Sequence, residues 1–69
     1  MTRPNHRRYR RYVVRHMQTG NYLQLGRGKA WRWVSTEVEA TRFNSEHEAV
    51  EISDRAGING YTVIEVQTL

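Results

Sequence analysis

Five arginines, Arg7, Arg8, Arg10, Arg11 and Arg15, are interleaved with Tyr9 and Tyr12 over nine residues near the amino terminus. That mixture has a chemistry of its own. A guanidinium offers a planar fork of donors that fits a phosphate, each phosphate neutralised releases counterions, and a tyrosine ring can stack on an unpaired base. Further along, Arg27, Lys29 and Arg32 bracket Trp31, and Tyr22 stands between the two groups. These residues are the candidate contacts to nucleic acid, to a nucleoprotein or to another anionic partner.

The distribution of charge carries the same message. Met1 to Arg32 holds nine cations and no acid, whereas Trp33 to Leu69 holds two cations and seven acids. A formal +9 and −5 therefore lie behind the net charge of +4. Such a dipole points to an anionic polymer or to an acidic protein surface. A plainer reading stands beside it, in which the stretch is a solubilising tail and an edge strand guarded by its own charge.

Other chemistries find little in the chain. His6, His16 and His47 show no ligand spacing, there is no cysteine for a thiolate site, and no nucleophile stands beside a base and an orienting acid. Gly26-Arg27-Gly28-Lys29 looks like a phosphate loop only superficially, because neither a helix nor a Gly-Lys-Ser/Thr ending follows. The expectation is binding rather than catalysis, with no cofactor and no metal. No apolar run approaches the ~20 residues that cross a bilayer, and the charged N-terminus lacks the apolar core of a signal peptide. A soluble, cytoplasmic protein acting inside a host cell is expected, with no membrane partner.

The 69 residues suffice for one small domain near the lower limit of core size, so a partner or a homodimer could contribute to stability. Residues 1–8, with Pro4 and Asn5, lack periodicity and read as a flexible basic arm. Residues 9–69 read as a single α+β domain. Tyr9–Met17 and Tyr22–Leu25 are β-rich runs around Thr19-Gly20-Asn21, which predicts a hairpin. A two-residue Thr19-Gly20 loop pairs Met17 with Tyr22, His16 with Leu23 and Val14 with Leu25, giving Tyr12, Val14, Leu23 and Leu25 one core face. A three-residue loop would pair Val13 with Leu25 and Arg15 with Leu23, sending an arginine inward, and the first is preferred. Gly26–Lys29 forms a turn, Trp31–Val34 a third strand, and Ser35–Ala40 a loop, with Thr41–Phe43 returning to the body. Ser45 and Glu48 form a capping box for a helix from about Glu46 to Ala56, with Ala49, Ile52, Ser53 and Ala56 on its buried stripe. Gly57 ends the helix, Ile58 folds back, and Asn59-Gly60 turns into a strand Tyr61–Gln67. The order is β-β-β-α-β: an antiparallel sheet of three to four strands against one helix.

The run Ala40-Thr41-Arg42-Phe43-Asn44-Ser45-Glu46-His47-Glu48-Ala49, with the Thr19-Gly20-Asn21-Tyr22 hairpin and the Trp31–Val34 strand, resembles small phage and prophage domains over roughly residues 12–66. Anti-CRISPR and other anti-defence inhibitors come from that pool, so the resemblance implies an accessory protein that blocks a nucleic-acid-guided complex. A second, fainter resemblance is to the arm-type DNA-binding domain of phage integrases, in which three strands lie in the major groove with a helix behind. The strand after the helix departs from that pattern.

Two features keep alternatives open. Trp31 and Trp33 project from one sheet face, either as core bulk or as an aromatic platform for a base or a protein partner. The acidic helix face, Glu46, Glu48, Glu51 and Asp54, is a solvated surface, a phosphate mimic, or a site for the basic end of a second copy. The alternative to nucleic-acid binding is a protein–protein module working through an edge strand and a tryptophan surface, and able to self-associate.

Overall fold

Tyrosines and β-branched valines make strand β1 (Tyr9–His16), followed by β2 (Tyr22–Leu25), β3 (Trp31–Val34), helix α1 (Glu46–Arg55) and β4 (Tyr61–Thr68). The structure is a computed structural model and describes residues 9–68; the expected arm, with Arg7 and Arg8, lies outside the described residues. The strands form one antiparallel sheet in the order β3-β2-β1-β4, so the two terminal strands of the described region are neighbours. Helix α1 packs on one face, burying Val14, Leu23, Phe43, Ala49 and Ile58, with Tyr12, Leu25, Trp33, Ile52, Tyr61 and Val63 around them. This is an α+β fold in the expected element order.

The helix ends follow from local chemistry. Ser45 Oγ accepts the Glu48 N–H at 3.0 Å, while Glu48 Oε1 accepts the Asn44 N–H at 2.9 Å, one residue before the amide a capping box would use. At the other end Gly57 takes φ 78°, and the N–H groups of Gly57 and Ile58 reach the carbonyls of Asp54 and Ser53, each at 3.0 Å. That pair of bonds is a Schellman motif, and it turns Ile58 into the core. Ala49 and Ser53 are buried and Ile52 is half-buried, but Ala56 is exposed rather than part of the buried stripe. It caps the helix, and the last turn lines an open cleft instead of the core.

The first hairpin corrects the expected register. Arg15 pairs with Tyr22, and the His16 N–H bonds the Asn21 carbonyl at 2.7 Å, so the turn is the four residues 17–20. Gly20, at φ 78°, closes it by donating to the His16 carbonyl at 2.9 Å, and His16 Nδ1 accepts the N–H groups of Gln18 and Thr19. The shift from the expected pairing is two residues. Because side chains alternate with a period of two, every residue keeps its predicted face.

Beyond this hairpin β1 and β2 part, and the sheet becomes a fork. Thr41–Phe43 fills the gap: Thr41 N–H donates to the Leu23 carbonyl at 3.0 Å, and Tyr12 and Phe43 exchange bonds of 3.0 and 2.8 Å. The Leu25 N–H finds Thr41 Oγ1 at 2.8 Å. Before the wedge, the predicted loop contains a 3-10 turn, Glu37–Glu39, whose last carbonyl accepts from Gln24 Nε2 at 3.0 Å. Gln24 projects from the face opposite the helix, so the chain runs over that outer face and passes through the fork before forming α1. Val13, Val34 and Ala40 are buried accordingly.

Candidate functional site

Alternation along each strand divides the candidate contacts between the two sheet faces. Arg11, Arg15, Tyr22 and Arg32 belong to the outer face, whereas Arg10 and Trp31 belong to the helix side, and Arg27 and Lys29 lie in the β2–β3 turn. No single face therefore gathers all of them.

The outer face is not uniformly basic. Arg32 Nε donates to Gln24 Oε1 at 2.7 Å, and Gln24 in turn holds the 3-10 turn, which brings Glu37 and Glu39 to this face. Arg15 reaches back over its hairpin turn, with Nε 3.4 Å from the Gly20 carbonyl. Arg11 Nη1 donates to the Arg10 carbonyl at 3.1 Å. On the helix side, Arg10 Nε lies 3.4 Å from Glu65 Oε2, an exposed pair worth no more than about 1 kcal/mol.

What the topology does bring together is one end of the sheet. In an antiparallel hairpin the start of β1 and the end of β2 lie at the same end, so Arg10 and Arg11 share it with the β2–β3 turn. That turn is closed by the Gly26 N–H to the Ala30 carbonyl at 2.8 Å and the Ala30 N–H to the Arg27 carbonyl at 3.1 Å, with Gly28 at φ 62°. It presents Arg27 and Lys29 to solvent. Arg42, exposed in the mouth of the fork between the two strands, adds a cation that sequence reasoning missed, because it lies in the acidic half of the chain and only the wedge places it there.

The tryptophans divide their roles. Trp33 packs against the core and makes an edge-on contact with His16, ring centres 4.9 Å apart. Trp31 meets Trp33 edge-on at 5.8 Å but remains 38% exposed. It lines a cleft of about 390 Å³ between the β2–β3 turn and the last turn of α1, with Leu25, Ile52 and Ala56 as apolar walls and Lys29 and Arg55 as the cations. Arg55 Nη2 is held by Glu51 Oε2 at 3.1 Å, the expected helical pair.

Among the described residues no group of three or more His, Asp or Glu side chains could hold a metal ion, and no helix is long and apolar enough to cross a membrane. Tyr61 donates its hydroxyl to Asp54 Oδ1 at 2.8 Å, and burial, then the hydrogen bond and charge of Asp54, raise its pKa. A phenol that holds its proton more tightly than usual is a poor base at neutral pH, which fits a structural role. Compared with protein-family models, with curated proteins and with solved structures, the chain finds no match.

Proposed function

We propose that this chain is a non-enzymatic protein that binds nucleic acid, free or within a nucleoprotein, through the cationic end of its sheet. The observation that carries this reading is the meeting of Arg10, Arg11, Arg27, Lys29 and Arg42, from three separate stretches of sequence, around one strand end and its adjoining turn. Cations on both faces of that end let a phosphate backbone engage several of them in passing. An anti-defence inhibitor of phage type, occupying a nucleic-acid-guided complex, is one instance of such a protein.

The test is a fluorescence-anisotropy titration against single-stranded DNA, duplex DNA and RNA over a series of salt concentrations. Alanine at both Arg27 and Lys29 is expected to lower the slope of log affinity against log salt by about 2 while leaving the fold intact. Binding and slope unchanged by that double substitution would remove this end of the sheet as the contact surface.

A second reading is a protein-interaction module without nucleic-acid contact, favoured by the exposed Trp31 beside its apolar cleft. Salt separates the two, since an interface anchored by a tryptophan responds weakly to ionic strength.

A further inference from the structure

The two edges of the sheet are unlike. Strand β3 is four residues long, carries Arg32, and adjoins the basic turn; it has the short, charged character of a guarded edge. Strand β4 is eight residues long, Tyr-Thr-Val-Ile-Glu-Val-Gln-Thr, with no proline and one charge. Its pairing with β1 runs one-to-one from Tyr9 with Thr68 to His16 with Tyr61, with no bulge to twist the outer edge away. The one acid, Glu65, is matched within the chain by Arg10.

The hydrogen-bonding pattern shows which groups that edge presents. Met17 N–H bonds the Gly60 carbonyl at 2.8 Å, and the register steps by two from that pair. Thr62, Ile64 and Val66 therefore aim their backbone groups at β1, while Tyr61, Val63, Glu65 and Gln67 aim theirs outward. Among the described residues, no backbone group of a turn or loop meets these outward donors and acceptors.

We propose that β4 pairs with β4 of a second copy, antiparallel about a twofold axis at Ile64, to form a continuous sheet of eight strands. The register follows from the chain. Outward-facing residues must meet outward-facing residues, and centring on Glu65 would set two carboxylates directly opposite, which opposes pairing. Centring on Ile64 sets Val63 against Glu65 of the second copy and Tyr61 against Gln67 of the second copy, so all four outward residues are paired. It also sets the half-buried Ile64 beside its own equivalent on the outer face.

Charge favours a second copy in this orientation. The start of β1 and the end of β4 lie at the cationic end, since Tyr9 pairs with Thr68. Antiparallel pairing carries the two cationic ends to opposite extremes of the joined edge, roughly 27 Å apart for eight residues and well beyond the ~8 Å screening length of physiological salt. Parallel pairing would stack them.

The test uses the whole chain, by sedimentation velocity from about 5 to about 500 µM together with residue-resolved amide exchange. The mass is expected to rise from 8.2 kDa toward twice that value. Over the same range, exchange at Tyr61, Val63, Glu65 and Gln67 should slow by about tenfold or more, while Thr62, Ile64 and Val66 stay protected throughout. Val63→Pro removes one outward N–H without touching the β1 ladder and is expected to keep a folded chain monomeric; should it unfold, the exchange data on the native chain decide. A monomer at every concentration overturns the proposal. So does a dimer whose outward amides remain open, which would place the interface elsewhere. Protection of those amides in the dilute monomer overturns it too, because another segment of the same chain would then occupy the edge.

Discussion

Tyr12 and Phe43 exchange a pair of backbone hydrogen bonds, Tyr12 N–H to Phe43 O at 3.0 Å and Phe43 N–H to Tyr12 O at 2.8 Å, across a gap in the sheet that neither β1 nor β2 could close alone. The Phe43 ring is buried in the core beneath it. Backbone pairing and ring burial thus depend on each other. Phe43→Ala is expected to cost about 3–5 kcal/mol, a loss comparable to the whole stability of a chain this size. Urea denaturation followed by circular dichroism would show it as a largely unfolded variant, and a midpoint near that of the native chain would contradict the wedge.

Ser53 is fully buried on the helix side of the sheet, and among the described residues its hydroxyl has no hydrogen-bond partner. An unmatched polar atom in that position costs about 1–3 kcal/mol, and alanine is also the better helix former. Ser53→Ala is therefore expected to stabilise the protein by about 1 kcal/mol or more. Thermal and urea unfolding would report it, and a destabilised variant would mean that the hydroxyl has a partner.

The two tryptophans should respond differently. Trp33 packs against the core and His16, so Trp33→Ala is expected to cost about 3–5 kcal/mol. Trp31 is partly exposed over the cleft, and Trp31→Ala is expected to cost less than half as much and to leave a cooperative transition. Parallel unfolding curves measure both, and equal losses would place Trp31 in the core as well.

Tyr61 gives stability a dependence on alkaline pH. Its folded-state pKa is raised by burial and then by Asp54, so the folded chain holds the phenolic proton more tightly than the unfolded chain does. The contribution is complete below the ordinary tyrosine value near 10 and is lost as pH rises through the folded value. Native protein should lose stability as pH rises above about 10 more steeply than Tyr61→Phe does. Asp54→Asn should move the Tyr61 ionisation downward, read from the difference in ultraviolet titration against Tyr61→Phe; an unmoved ionisation would deny Asp54 its part.

Much of this architecture was legible in the residues. Ser45, Glu48, Gly57 and Ile58 marked both helix ends, and the β-rich runs marked the strands. The faces were legible even though the hairpin register was not. A four-residue turn in place of two shifts the pairing by an even number, which leaves Val14 and Leu23 inward and Arg11 and Arg15 outward. Thr41–Phe43 gave no comparable signal. Three residues show no periodicity, and the expected hairpin pairs Leu23 and Leu25 with His16 and Val14 on β1, leaving no gap for a wedge. One clue was available: Val13 and Val34, apolar on a face expected to meet solvent, required a cover, and the Glu37–Glu39 turn with Ala40 supplies it. The candidate contacts were legible as residue types but not as a surface, because the fold divides them between two faces and recruits Arg42 from the acidic half.

The fork also orders events during synthesis. Both prongs leave the ribosome well before the segment that bridges them, so the amino-terminal strands emerge with a hydrophobic row and a set of backbone groups that nothing yet made can cover. A nascent chain halted before Phe43 should remain open to protease along its whole length, and resistance should appear in a single step only once β4, through Thr68, is also free to pair with β1. The domain would then be acquired all at once and late, with no stable half-built form.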